Sequence, residues 1–153
     1  MEIIDLVNQL SHYNKPNILL KKKSKVSAVG VDWHLYHSIL SINKICEALL
    51  ISNPNLFMSH FNIKWWIIKM IKKFPRGKAK APKYVTNFGT IDQVIVDMEI
   101  EKSYQLLIDI DQLSTKHYFK HFVFGDLPLN DAKKLMMIHT QHHIDIIEDI
   151  IRN

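Results

Sequence analysis

Apolar residues recur at three- and four-residue intervals along four stretches of the chain, and that period predicts helix. The clearest stretch covers residues 129–151. At about 100° per residue, Ala132, Leu135, Met136, Ile146, Ile147 and Ile150 fall on one side of it. Asp131, Lys134, Asp145, Asp149 and Arg152 fall mostly elsewhere. Residues 1–13 carry apolar side chains at positions 3, 4, 6, 7 and 10, which fits a short amphipathic helix. Asn14-Lys15-Pro16-Asn17 breaks it. A long helix is expected from near Ser27 to residue 51, with Leu35, Ile39, Ile42, Ile45, Cys46 and Leu49 apolar and Ser52-Asn53-Pro54 as the stop. Another is expected over 91–113, with Thr90 as its N-cap.

The segments between them are read as connections. Residues 18–25 form a basic connector. Residues 55–74 are aromatic and mixed, with a short helix over about 63–72 capping one end of a bundle. Residues 75–83 form a proline-bounded basic loop, and 116–129 an aromatic-rich loop over the helices. No strand-like alternation is sustained. Three long helices and a shorter first one predict an all-α, four-helix bundle in a single domain, 1–153, with a long crossover between helices 2 and 3.

Composition narrows the class. Apolar content is 47% and charged content 23%, which excludes a disordered chain. The single cysteine, Cys46, excludes an intrachain disulfide framework and, in its apolar setting, predicts a buried reduced thiol. No apolar run is long enough to span a bilayer, and the acidic N-terminus lacks a signal-peptide pattern, so no membrane partner and a cytoplasmic protein are expected. The net charge of +5 permits anionic partners without demanding them. The lysines of 21–25 and 72–83 read either as solvated loops or, for the second group, as a rim attracting an anionic substrate. Nucleic acid is disfavoured as a partner, because no recognition helix or stacking motif accompanies the charge.

Candidate chemistry lies in the nine histidines. Within His139-Thr140-Gln141-His142-His143-Ile144, His139 and His143 sit about 40° apart on the apolar side of the last helix. Buried imidazoles need partners. A histidine pair at i, i+4 can close on one metal ion. The pair lacks the glutamate of the HExxH pattern, so spacing leaves a metal and ordinary hydrogen-bonded histidines both open. Trp33-His34-Leu35-Tyr36-His37 supplies further imidazoles: His34 at the edge of the apolar face and His37 further round. Asp97, Glu101 and Tyr104 are candidates to approach the pocket. His142 reads equally as a proton-transfer neighbour and as a surface or interface residue.

These motifs resemble the DinB-like superfamily. His139-Thr140-Gln141-His142-His143 is similar to its H-x-x-H-H ending, and Val31-Asp32-Trp33-His34-Leu35-Tyr36-His37-Ser38 to its second-helix histidine segment. The stretches 75–83 and 118–127 resemble a bacterial domain-of-unknown-function branch of that superfamily. The resemblance covers most of the chain apart from the first helix. It implies a four-helix bundle holding zinc or nickel through three histidines, one from helix 2 and two from helix 4. Carried over by residue, these are His34, His139 and His143, with His37 the rival to His34. It further implies a metal-dependent transferase or hydrolase acting on a small thiol or anionic substrate, and a homodimer. The alternative is a non-enzymatic stress-response or binding protein whose metal is vestigial or absent. Two departures from the pattern stand out: Phe122 follows His121 where proline is usual, and Pro128 replaces a Ser or Thr cap, leaving Asp126 or Asn130 to compensate.

Overall fold

All four periodic stretches fold as helices, but their ends are set by local hydrogen bonding rather than by the apolar period. A computed structural model describes residues 2–76 and 85–152. Among the described residues the helices are α1 (Ile3–Tyr13), α2 (Pro16–Leu19), α3 (Val31–Ile51), α4 (Ile63–Ile71), α5 (Gln93–Asp111) and α6 (Leu129–Ile151), and the strands are β1 (Tyr118–His121) and β2 (Gly125–Pro128). The basic loop expected over 75–83 lies largely outside the described residues.

At the start of α1, the Glu2 N–H donates to the Asp5 carboxylate at 2.7 Å. α5 starts at Gln93 because Asp92, not Thr90, is its cap, accepting from the Ile95 N–H at 2.9 Å. α3 starts at Val31 rather than near Ser27, since the Ser27 hydroxyl is engaged by the Val29 N–H and by His34. The connector after α1 is partly helical, with Pro16 at the first turn of α2, where its missing N–H costs nothing.

The aromatic stretch expected as a loop is an antiparallel hairpin, with Tyr118 opposite Pro128 and His121 opposite Gly125. Its strands have four residues each, too few for a period of two to register in sequence. Gly125 turns the chain at φ +74°, a conformation that disfavours a Cβ. Pro128 ends β2 and precedes α6 directly. Neither Asp126 nor Asn130 caps this helix. Instead the Leu129 N–H donates to the His117 carbonyl at 2.8 Å.

α3 packs against both α5 and α6, and α1 packs against the same two helices and touches α3 as well. The four helices share one core. Leu6, Leu10, Leu35, Ile39, Ile110, Met136, Ile144 and Ile147 fill its centre. Each such side chain contributes about 1.5–3 kcal/mol through burial. Polar pairs fix the register of the helices. Asn43 of α3 donates to both the Glu99 carboxylate and the Glu99 carbonyl of α5, and accepts from the Ser103 hydroxyl at 2.7 Å. Glu148 of α6 accepts from Gln9 and Tyr13 of α1. Trp65 and Lys69 anchor α4 to Asp131 of α6. Cys46 is buried beside Met136, and burial pushes its thiol up to about 12, as a reduced, unreactive thiol requires. No described helix is long and apolar enough to cross a membrane.

Candidate metal centre

α3 and α6 lie side by side, and this brings the histidines of both helices together. His34 and His37 are one turn apart on α3, and His139 and His143 one turn apart on α6. His37, His139 and His143 each offer a ring nitrogen within 4.8 Å of the other two. The His37 Nε2 and His139 Nε2 are 3.3 Å apart. Two nitrogens bound to one tetrahedral ion at about 2.0–2.1 Å would stand roughly 3.3–3.4 Å from each other.

The surroundings select which nitrogen of each ring is free. His37 Nδ1–H donates to the Val85 carbonyl in a short hydrogen bond, so Nε2 carries the lone pair toward the cluster. Trp33 stacks on the same ring, with centroids 4.7 Å apart and planes at 16°. His143 Nδ1 meets His34 Nδ1 at 2.9 Å, which leaves His143 Nε2 open. His34 in turn reaches the Ser27 hydroxyl through Nε2 at 2.8 Å. Phe74 presents its face or edge to His139 and His142.

Burial keeps these rings neutral. His139 and His143 are held well below the usual histidine range, first by desolvation and then by neighbouring imidazoles. His37 is lowered by burial, partly offset by its bond to Val85. His34 is lowered to about 4 by burial and by His37. A neutral imidazole is the form that ligates metal.

The sequence favoured His34 as the donor from helix 2 and set His37 further from the apolar face. In the structure His37 is only 2% exposed and stands with His139 and His143, while both nitrogens of His34 are occupied by Ser27 and His143. The angular argument failed because α3 is covered on nearly every side, so it has no single apolar stripe. Asp97, Glu101 and Tyr104 do not reach the cluster. Asp97 accepts from Asn14, Tyr104 donates to Asn8, and Glu101 is exposed. Sequence reasoning missed the contribution of Ser27, seven residues before His34, and of Val85, which is distant in the chain; neither carries a motif.

No family model, curated protein or solved structure matches this chain. The likeness to the DinB-like superfamily therefore rests on the sequence motifs alone.

Proposed function

We propose that the chain is a four-helix-bundle protein of the DinB-like type that binds one divalent ion, zinc or nickel, through His37, His139 and His143. The observation that carries this reading is the convergence of three neutral imidazoles from two helices, with their donor atoms within 4.8 Å. The core shared by α1, α3, α5 and α6 supports the bundle. The donor set suits these metals, since imidazole nitrogen is a preferred ligand of both zinc and nickel.

In this reading the Val85 carbonyl orients His37, and His34, itself held by Ser27, orients His143. Such outer contacts fix ring orientation and raise ligand basicity. A divalent ion bound by three imidazoles keeps a position for water or a substrate thiol or oxygen, and lowers the pKa of what binds there. Trp33 and Phe74 wall the cluster with apolar surface and strengthen electrostatic interactions there. The activity that best fits is that of a metal-dependent transferase or hydrolase acting on a small thiol or anionic molecule.

The test is titration of chelator-stripped protein with Zn2+, Ni2+ and Co2+, with the Co2+ absorption spectrum reporting the ligands. One ion per chain is expected. His37→Ala and His139→Ala should remove tight binding and change the cobalt spectrum. His34→Gln should keep the three-nitrogen spectrum while weakening affinity by about 10–100-fold. If the wild-type protein takes up none of these ions, the histidines form a metal-free network and the non-enzymatic reading stands. If His34→Gln rather than His37→Ala alters the cobalt spectrum, the ligand assignment is wrong.

A further inference from the structure

The charge of this chain is unevenly distributed. Residues 48–91 hold eight of its twenty Lys and Arg and none of its fifteen Asp and Glu. The remainder carries twelve cations against fifteen acids, a net of −3, so the whole positive balance of the protein comes from this one stretch. Within it, α4 is amphipathic in the sense opposite to that of a core helix. Trp65 and Ile68 face inward, and the Trp65 indole N–H donates to Asp131 of α6 at 2.9 Å. Ile63, Trp66, Ile67, Met70 and Ile71, with Phe61 just before the helix, are 44–78% exposed.

At about 100° per residue the exposed apolar residues of α4 span an arc of roughly 140°, with Lys64 at one border and Lys69 at the other. Lys72 and Lys73 follow at the helix end, where Lys72 turns the chain in the left-handed region at φ 50°. Lys64, Lys72 and Lys73 form no ion pair among the described residues. The Asn62 side chain donates to the Val123 carbonyl, so exposed Phe122 and Val123 on the hairpin turn lie beside this face.

We infer that α4 is a docking surface for an anionic lipid bilayer. The chain would lie on the bilayer with Trp66, Ile67, Met70 and Ile71 in the interface and Lys64, Lys72 and Lys73 against lipid phosphates. An apolar face of Trp, Ile and Met bordered by Lys is the pattern of an interfacial helix, and Trp belongs at the headgroup level. The expectation of no membrane partner rested on the lack of a spanning segment, which surface docking does not need. A second copy of the chain fits less well, because pairing this face with itself sets two lysine clusters against each other. Nucleic acid would use the lysines but gains nothing from exposed Ile67, Met70 and Ile71. The inference is independent of the metal site.

The test is co-sedimentation of the full chain with vesicles of phosphatidylcholine alone or mixed with phosphatidylglycerol. Binding is expected to the mixed vesicles only, and should fall as salt rises. Lys72→Glu with Lys73→Glu should weaken it by at least about 30-fold, from about five-fold per lysine near an anionic surface. Ile67→Ser with Met70→Ser should also remove it, with circular dichroism and metal uptake unchanged, since both side chains are exposed. Brominated lipid should quench the tryptophan emission, and Trp66→Phe should abolish that quenching. The proposal is overturned by absence of binding to the mixed vesicles at low salt, or by binding that survives both double substitutions. It is equally overturned by a wild-type dimer that Ile67→Ser with Met70→Ser dissociates, or by duplex DNA binding as tightly as the mixed vesicles.

Discussion

Acid should destabilise the metal-free protein well above the pH at which carboxylates titrate. The perturbation is protonation of imidazoles that the fold holds neutral. His34 falls from an ordinary value of 6.5 in the unfolded chain to about 4 in the folded one, because it is buried and faces other histidines. Its folded pKa is depressed, so between these values the unfolded chain binds more protons and stability falls as pH falls. The contribution is fully present above pH 6.5 and lost progressively toward pH 4. At 1.36 kcal/mol per pKa unit the whole span corresponds to roughly 3 kcal/mol, of which about 2 kcal/mol lies between pH 7 and pH 5. His37, His139 and His143 are lowered as well and act with the same sign. Exposed His60 is raised by its hydrogen bonds and acts weakly in the opposite sense. The assay is urea unfolding of chelator-stripped protein at half-unit steps from pH 7.5 to pH 5. A domain of this size is stable by about 5–15 kcal/mol, so the loss will be plain. His34→Gln should flatten the curve by its share. A stability that is level or rises as pH falls through this window would refute the placement of neutral, buried histidines between α3 and α6.

Two further substitutions probe the scaffold. Gly125→Ala forces a Cβ into the left-handed region and against the His60 imidazole, which bonds the Phe124 carbonyl at 3.0 Å, so a loss of about 1–3 kcal/mol in thermal or urea unfolding is expected. Wild-type stability in that variant would mean the hairpin turn is built differently. Asn43→Leu leaves the Glu99 carboxylate without its amide partner and takes one of two acceptors from the buried Ser103 hydroxyl, which keeps the Glu99 carbonyl, so a cost of about 1–2 kcal/mol is expected by the same measurement. A change within about 0.5 kcal/mol would show that this polar link between α3 and α5 contributes little, as for an ordinary surface position.

What the sequence disclosed depended on how one-sided each helix is. α6 is buried along one stripe, so the positions of His139 and His143 could be read from spacing. α3 is contacted by α1, α2, α5, α6 and β1, and polar His37, Ser38 and Asn43 are as buried as its leucines. Periodicity on such a helix says little about which side faces which neighbour, and His37 was misplaced for that reason. Helix starts were missed where the cap was one of several adjacent candidates, as with Thr90 and Asp92. The hairpin was missed because each strand is only four residues long. The Val85 carbonyl that orients His37 is backbone, which no side-chain pattern announces. The exposed face of α4 was visible as an aromatic and basic stretch, but only the positions of Trp65 and Ile68 show that its remaining apolar residues point away from the core.

The junction of the hairpin with α6 bears on how this chain tolerates insertions and deletions. β2 ends at Pro128 and α6 begins at Leu129, with no residue between them, and the first N–H of the helix is held by His117. A helix advances about 100° with each residue. One residue gained or lost between Leu129 and His139 would therefore swing both α6 histidines a quarter-turn or more away from His37, with no slack upstream to absorb it. The hairpin sets the rotational phase of α6. Length changes in natural or engineered variants should accumulate before residue 63, between α3 and α4, and be absent from the eleven residues that run from Leu129 to His139.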